Sequence, residues 1–243
     1  MADKKTQETE IPTKKVNVTD DSEIILQKAK GFWDKFSKPI IYIGSAVILI
    51  GGGWLAYNKF VKEPNEEKAA EAIYPAEKLF SKMTQTGFNK DSVNLVLNGG
   101  NGITGVLKVI GKYGGTQNGN RAEYIAGACY LQTKDFNNAI KHLKEFSTSA
   151  TQVQSAAFMM LGDAYSELDK KDDAFEYYKK ATTVNAADEF FTPEALFKAG
   201  AYGEVIGKNK EAIELFKTLR NKFPKSPKAQ DADKYLARLG ELN

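Results

Sequence analysis

The chain has 243 residues, a formal net charge of +3, one cysteine and one histidine. One cysteine excludes an internal disulfide, and one histidine argues against a histidine-rich metal site or a local Ser/His/Asp triad. The nearly balanced charge argues against a nucleic-acid-binding protein, which needs a strongly basic patch.

The polar N-terminal region falls into two parts. Residues 1–21 are mostly Lys, Thr, Asp and Glu, and with little to bury we expect a disordered polar tail. Residues 22–38 are predicted to form an amphipathic juxtamembrane helix in the lipid headgroup region. Two alternatives are an extension of the following helix and a docking site for a partner. The apolar face consists of Ile25, Ala29, Phe32, Trp33 and Phe36.

The next segment, 39–60, is predicted to be a transmembrane helix. Its first part, "PIIYIGSAVILIGGGWLAYN" (39–58), carries no charge and lies between Lys38 and Lys59. Twenty helical residues at ~1.5 Å each span ~30 Å, which matches the hydrocarbon core of a bilayer. The apolar run is longer than that of a cleaved signal peptide and follows a long polar tail, so we expect an uncleaved anchor.

Lysines near the two ends of this segment predict its orientation. Four lysines precede it, and three follow it among several glutamates. This bias favours an N-terminus in the cytoplasm and a C-terminal domain on the other side of the membrane. The lysines are Lys28, Lys30, Lys35 and Lys38 before the segment, and Lys59, Lys62 and Lys68 after it.

Three helix pairs are predicted over residues 120–226. A small residue, an aromatic residue three positions on and an alanine nine further on recur at offsets of 35 and 38 residues. A small residue on the first helix of a pair lets the second helix approach closely. The three sets are Gly127, Tyr130 and Ala139; Gly162, Tyr165 and Ala174; and Gly200, Gly203 and Ala212.

This spacing resembles the tetratricopeptide repeat, a helix pair with a period of 34 residues. The third set has Gly203 where the aromatic residue is expected, and we expect Tyr202 to fill that space. A large residue four positions after each alanine should pack onto the next unit. These large residues are Leu143, Tyr178 and Phe216.

The flanks of the repeats fit the atypical ends of a solenoid. Residues 227–243 have apolar side chains at helical spacing and predict a capping helix. Residues 61–119 predict a linker and an atypical first repeat, in which a helix at 65–85 pairs with one at 103–114. Pro64 and Pro75 should kink or break the former helix where it continues from the transmembrane segment.

A glycine-rich insert precedes the repeats. Gly100 to Gly105 matches G-x-G-x-x-G, residues 93–97 can be interpreted as a strand, and Glu123 lies about 20 residues on, as in dinucleotide-binding loops. That fingerprint needs a βαβ unit in a parallel sheet, whereas the surrounding sequence is helical. We therefore predict a helix–helix connection and no cofactor.

The residues with chemical potential do not form a predicted active site. Cys129 falls within a packed first helix, where a small buried hydrophobic residue is expected. His142 precedes the core position Leu143, so we expect His142 on the surface rather than beside the thiol. The chain is therefore predicted not to be an enzyme. Paired acids are expected to be solvated, namely Asp172, Asp173, Asp231 and Asp233.

A binding surface is the remaining prediction. In tetratricopeptide repeats the first helix of each pair lines a concave groove, and aromatic residues or Met there can hold a peptide or a partner helix. The alternative is that some of these residues belong to the core. The predicted groove residues are Tyr124, Ala128, Leu131, Met159, Asp163, Ser166, Phe197, Ala201 and Glu204.

The order of tail, single span, acidic linker and repeats resembles the YfgM-like family of membrane-anchored tetratricopeptide proteins. The insert "LVLNGGNGITGVLKVIGKYGGTQNGNRAEYIAGACYL" (95–131) is similar to the glycine-rich loop before the first repeat in such proteins. The resemblance implies a bacterial inner-membrane protein with a periplasmic repeat domain. It also implies association with the SecYEG translocon and a membrane-anchored periplasmic chaperone of the PpiD type.

The predicted fold is all-α: one N-terminal transmembrane helix, a tetratricopeptide-repeat α-solenoid and a C-terminal capping helix. The predicted function is a non-catalytic adaptor that holds protein partners beside a membrane complex. The alternative is a structural scaffold for envelope assembly or cell division.

Overall fold

The structure, a computed structural model, describes residues 18–241, with side chains from residue 23 onward. The chain divides into two compact units, Met1–Lys59 and Phe60–Asn243. Helix α1 belongs to the first unit, and the second contains helices α2–α11 with a small hairpin. The second unit is an all-α solenoid of antiparallel helix pairs.

Helix α1 runs from Val18 to Tyr57 without interruption and contains Pro39. The segment predicted as a separate amphipathic helix, 22–38, therefore continues into the apolar run. Of the predicted disordered tail, residues 18–21 are helical, because extending an existing helix needs no new nucleus. Residues 1–17 lie outside the described part of the chain.

Among the described residues, one helix is long and apolar enough to cross a membrane. Its most apolar 18-residue stretch has a mean hydropathy of 1.8 and no buried residue. The large apolar side chains of α1 are exposed, for example Leu49 at 75%. Exposure of such a continuous apolar surface to water is unfavourable.

The second unit begins with elements that the sequence predicted incompletely. A π-helical turn, Asn58–Lys62, spans the boundary between the two units and is followed by α2 and α3. A two-stranded antiparallel hairpin and α4 complete this part. The bounds are α2 Glu63–Thr86, α3 Lys90–Asn98, β1 Gly99–Gly100, β2 Ile103–Thr104 and α4 Val106–Tyr113.

Helix α3 contains residues 93–97, in agreement with the expected helical surroundings of the insert, and it corrects the pairing of 65–85 with 103–114 alone. Asn89 caps α3 by accepting a hydrogen bond from the Ser92 N–H at 2.8 Å. Its buried face is Val93, Val96 and Leu97. Helix α2 packs against three helices, α3, α4 and α5, instead of the single helix that was predicted to pair with it.

Pro75 neither ends nor divides α2, which is a correction to the expected break. A proline removes the hydrogen bond to the carbonyl four residues earlier. That carbonyl belongs to Glu71, an exposed residue, so water can replace the missing donor. Pro64 lies in the first turn, where its missing N–H costs nothing.

The glycine-rich insert forms a hairpin turn. Asn101 and Gly102, with φ of 52° and 82°, connect β1 to β2, as in two-residue turns that need positive φ. Gly105 allows a close approach, because a Cβ there would lie 2.4 Å from the Asn98 carbonyl carbon. The residues of the G-x-G-x-x-G match therefore shape a turn between helices.

Three helix pairs and a final helix follow. The first helices are α5 Gln117–Gln132, α7 Thr151–Glu167 and α9 Phe191–Val205. Their partners are α6 Phe136–Glu145, α8 Lys171–Thr183 and α10 Asn209–Lys222, and the last helix is α11 Pro227–Arg238. The end of the predicted cap, residues 242–243, lies outside the described residues.

Each repeat closes around a glycine that faces a large side chain sixteen residues later. A Cβ at Gly162 would lie 2.4 Å from the ring of Tyr178, and the other two glycines show the same relation at 2.5 and 2.8 Å. Contacts under 3.0 Å are not tolerated without movement, so only glycine admits these side chains. The two other pairs are Gly127 with Leu143 and Gly200 with Phe216.

These large residues also reach the next unit, as predicted for Tyr178, whose ring lies edge-on to Tyr202 at 5.0 Å. The expectation that Tyr202 fills the space at Gly203 is wrong. The ring of Phe175, from the preceding pair, lies 2.9 Å from where a Gly203 Cβ would be. The missing aromatic residue is thus compensated by a neighbouring repeat.

Helix α11 closes the array. It packs on α9 and α10 through Ala229, Ala232 and Leu236, all buried. Ser226 caps its N-terminus by accepting a hydrogen bond from the Lys228 N–H at 3.3 Å. The buried face shields the last repeat from water, as the end of a solenoid requires.

Candidate protein-interaction groove

A groove of about 910 Å³ opens on the second unit between three helices. Residues of α2, α5 and the first turn of α7 line it, and the connection 146–150 forms one side. Because α2 packs on α5 and α5 packs on α7, the groove is built on successive first helices of the array. This volume falls in the range of ligand-binding clefts, about 300–1,000 Å³.

The floor of the groove is aromatic. Tyr124 and Phe146 lie with ring centroids 5.1 Å apart, and Phe80 contacts the core from α2. Two apolar side chains stand at the edges and remain accessible to water, Tyr74 at 63% and Val153 at 39%. An apolar side chain of a partner that covers these rings would remove their area from water.

Polar side chains surround this floor. Arg121 of α5 forms an ion pair with Glu77 of α2 at 2.6 Å, and Lys78 lies beside it. The Arg121 side chain is 58% exposed, so its remaining donors are accessible to a ligand. The charges of Glu77 and Arg121 cancel, so Lys78 gives the lining residues a net charge of +1.

The connection between α6 and α7 is held in place by side chains. Asn120 donates to the Ser147 carbonyl at 2.8 Å and accepts from the Ser147 N–H at 3.1 Å. Gln154 accepts from the Thr148 N–H at 2.9 Å. This wall of the groove is therefore fixed before any ligand arrives, which lowers the entropic cost of binding.

Of the nine predicted groove residues, the structure brings one, Tyr124, into this groove. Ala128 is buried at 6% exposure and packs in the interior. The other seven are half-buried along the first helices, and as ligand contacts they remain predictions. They are Leu131, Met159, Asp163, Ser166, Phe197, Ala201 and Glu204.

The two acids among these residues pair with side chains of later helices. Asp163 accepts from the Tyr178 hydroxyl at 2.6 Å and from Lys198 Nζ at 2.9 Å. Burial, followed by the hydrogen bond to Asp163, raises the pKa of Tyr178. Glu204 accepts from Arg238 Nε at 2.6 Å, and this hydrogen bond raises the pKa of Arg238.

The side chain of Phe197 also packs against neighbouring helices of the array. Its ring lies edge-on to Phe216 and Tyr235, with centroids 6.0 and 5.1 Å away. The Nζ of Lys228 lies 4.9 Å from its centroid. Phe197 thus joins α9, α10 and α11 in one aromatic cluster.

His142 is buried, which corrects the prediction that it lies on the surface. Its Nδ1 lies 2.6 Å from Glu123 Oε2, and its ring stacks on Tyr130 at 5.4 Å. A buried imidazole needs such a partner to satisfy its polar atoms. Glu123 occupies a position where the repeat often has Trp, so a hydrogen-bonding contact replaces an aromatic one.

Cys129 is fully buried. Burial raises the pKa of its thiol to about 12. The thiol therefore stays protonated at neutral pH, where only the thiolate is a strong nucleophile.

The sequence did not reveal most of the groove because its walls come from segments outside the repeat frame. Tyr74 lies on the exposed side of α2, beside the apolar stripe that identified that helix. Phe146 follows α6 and begins a polar connection, "STSA". An aromatic residue next to such a polar stretch was the sequence feature that could have indicated this wall of the groove.

Comparisons with known proteins agree with this geometry. Tetratricopeptide repeats are matched over residues 155–188 and 194–226, which are the second and third helix pairs. A comparison with curated protein sequences finds no match.

The solved structures that the chain resembles include the nearly identical TPR-like repeats of a Podosopora anserina protein classed with the kinesin light chains. The identity is 14%, the TM-score is 0.51, and the match covers 69% of this chain and 84% of the other. A substituted variant of that protein gives the same values. The chain therefore carries tetratricopeptide repeats over residues 155–226, within an all-α solenoid.

Proposed function

We propose that the chain is a membrane-anchored, non-catalytic adaptor whose groove binds a segment of a partner protein. The observation that carries this proposal is the groove between α2, α5 and α7, with its aromatic floor and polar rim. Tetratricopeptide repeats mediate protein–protein interactions, and the first matched repeat, 155–188, lies on α7, whose first turn contributes Val153 to the groove.

The chemistry of the lining suits a polypeptide ligand. Tyr74 and Val153 offer accessible apolar surface to a partner's side chains. The amides and hydroxyls at the rim can satisfy the N–H and C=O groups of a bound backbone, which a dry apolar site would leave unpaired. The rim side chains are Gln117, Asn120, Ser147, Thr148 and Ser149.

The lining also argues against catalysis at this site. The sixteen lining residues of the groove include neither His nor Cys, and their acid, Glu77, is paired with Arg121. A general acid or base needs an available group with a pKa near the working pH. Binding is therefore the activity that this set of residues supports.

We assign the anchoring to α1, because its exposed apolar side chains need a lipid environment. The lysine bias around residues 39–60 favours a cytoplasmic N-terminus and a periplasmic repeat domain. The resemblance to YfgM-like proteins supplies candidate partners, the SecYEG translocon and a PpiD-type chaperone. An alkaline phosphatase fused to the C-terminus should be active in bacterial cells, and an inactive fusion would contradict the periplasmic location.

The test of the groove is affinity purification of the full chain from detergent-solubilised bacterial membranes. Val153→Arg places a charge at the apolar edge of the groove, and Val205→Arg places the same charge on an exposed residue of α9. Wild type and Val205→Arg should recover a translocon or chaperone component that Val153→Arg loses. Recovery by all three proteins would exclude the groove, and recovery by none would exclude these partners.

A further inference from the structure

The connection between α8 and α9 presents an aromatic side chain to solvent. Phe190 is 79% exposed and its neighbour Phe191 is 37% exposed. Burial of a phenylalanine side chain in an interface removes its apolar area from water, which favours association. An exposed aromatic residue at such a prominent place is therefore a candidate anchor for another protein surface.

The backbone under this aromatic residue is rigid. Asp188 Oδ1 accepts from the N–H groups of Phe190 at 2.9 Å and Phe191 at 2.7 Å. These two bonds lower the pKa of Asp188. Gln152 of α7 donates to the other carboxylate oxygen at 3.3 Å. An anchor on a fixed loop loses little conformational entropy when it binds.

Acidic residues flank the anchor in the sequence "ADEFF" (187–191). Asp188 and Glu189 precede Phe190, so a complementary pocket should combine an apolar floor with a basic rim. The groove has an apolar floor with Tyr124 and Phe146, and Lys78 gives its lining a net charge of +1 because Arg121 is paired with Glu77. The chain thus carries both an anchor and a surface of matching polarity and charge.

The anchor of one copy does not enter its own groove. Gln152, which holds the loop, is followed in α7 by Val153, which lines the groove. Successive residues of a helix point about 100° apart. Phe190 is not among the residues that line the groove of its own copy, and its exposed side chain is accessible to a second copy.

We propose that Phe190 of one copy docks into the groove of a second copy. The contact is heterologous, because the two copies contribute different surfaces. Each pair leaves one free anchor and one free groove, so association continues into larger assemblies unless geometry closes a ring. An occupied groove is unavailable to another protein, and self-association therefore competes with the binding described under Proposed function.

The test measures the mass of the purified full chain in detergent micelles by light scattering as its concentration rises. Wild type should associate, and Phe190→Ala should weaken the association at least about tenfold, as expected for an aromatic anchor. Val153→Arg should weaken it from the groove side. Val205→Ala, which truncates another residue exposed at 81%, is the matched control and should associate like wild type.

Mixing the two deficient variants gives the sharpest result. Phe190→Ala keeps an intact groove and Val153→Arg keeps an intact anchor, so the mixture should form a 1:1 pair that does not grow. A wild type that stays a single copy would overturn the proposal. So would association that survives Phe190→Ala, or a mixture that fails to pair. No other protein is present in this assay, so its failure leaves the purification test of partner binding unaffected.

Discussion

The substitution Gly162→Ala tests the packing rule of the repeats. Alanine is the better helix former and in an open helix position stabilises by about 1 kcal/mol relative to glycine. At Gly162 the new Cβ would lie 2.4 and 2.5 Å from two carbons of the Tyr178 ring. The ring is 3% exposed and its hydroxyl is bonded to Asp163, so it has little room to move.

The net effect follows from these opposing contributions. Overpacking a core costs about 1–3 kcal/mol, and losing a hydrogen bond to a charged group costs about 1.5–3 kcal/mol. After subtraction of the helix-propensity gain, we expect a loss of about 2 kcal/mol or more. For a chain of this size, this corresponds to a fall in Tm of about 4–8 °C.

The assay is thermal unfolding of the full chain in detergent, followed by circular dichroism. Gly111→Ala in α4 is the matched control, because a Cβ there meets nothing within 4 Å, and it should be neutral or stabilising. In a protein that also carries Tyr178→Ala, Gly162→Ala should no longer lower Tm, because the ring that the new Cβ would meet is absent. Equal stabilisation by Gly162→Ala and Gly111→Ala would refute the packing rule.

Three further predictions concern titratable groups. Cys129 should react with a thiol reagent at neutral pH only when the chain unfolds, because burial raises its pKa to about 12; rapid labelling of the folded protein would contradict this. The pKa of Tyr178 is raised in the folded state, so stability should fall as pH rises above its ordinary pKa of about 10. Tyr178→Phe should flatten that decline in urea titrations, and an unchanged slope would count against it. The pKa of Asp188 is lowered, so its contribution should be present above the ordinary carboxyl pKa and lost in acid; Asp188→Asn should reduce the acid sensitivity of unfolding, and an identical pH profile would exclude this role.

The repeat frame was predictable because each glycine and its large partner are encoded at a fixed separation. Gly127, Gly162 and Gly200 each face a large residue sixteen positions on, so the pattern specifies a contact directly. The all-α fold follows from that regularity. Gly203 broke the pattern, and its compensation by Phe175 depends on packing between units.

The groove was less predictable, because tertiary packing assembles it from α2, α5 and the connection before α7. The repeat positions predicted Tyr124 as a groove residue but did not predict Tyr74, Phe146 or Val153. The burial of His142 was missed for a related reason. Its partner Glu123 lies nineteen residues earlier on another helix. The helical spacing of the residues around His142 therefore does not indicate this contact.

The most direct test of the central claim, that the groove binds a partner protein, is site-specific photocrosslinking in bacterial cells. The full chain carries a photoreactive phenylalanine analogue at Val153 in the groove or at Val205, the exposed residue on α9. We predict a crosslink to a translocon or chaperone component from position 153 and none from position 205. Equal crosslinking from both positions, or crosslinking to that component from position 205 alone, would contradict the claim.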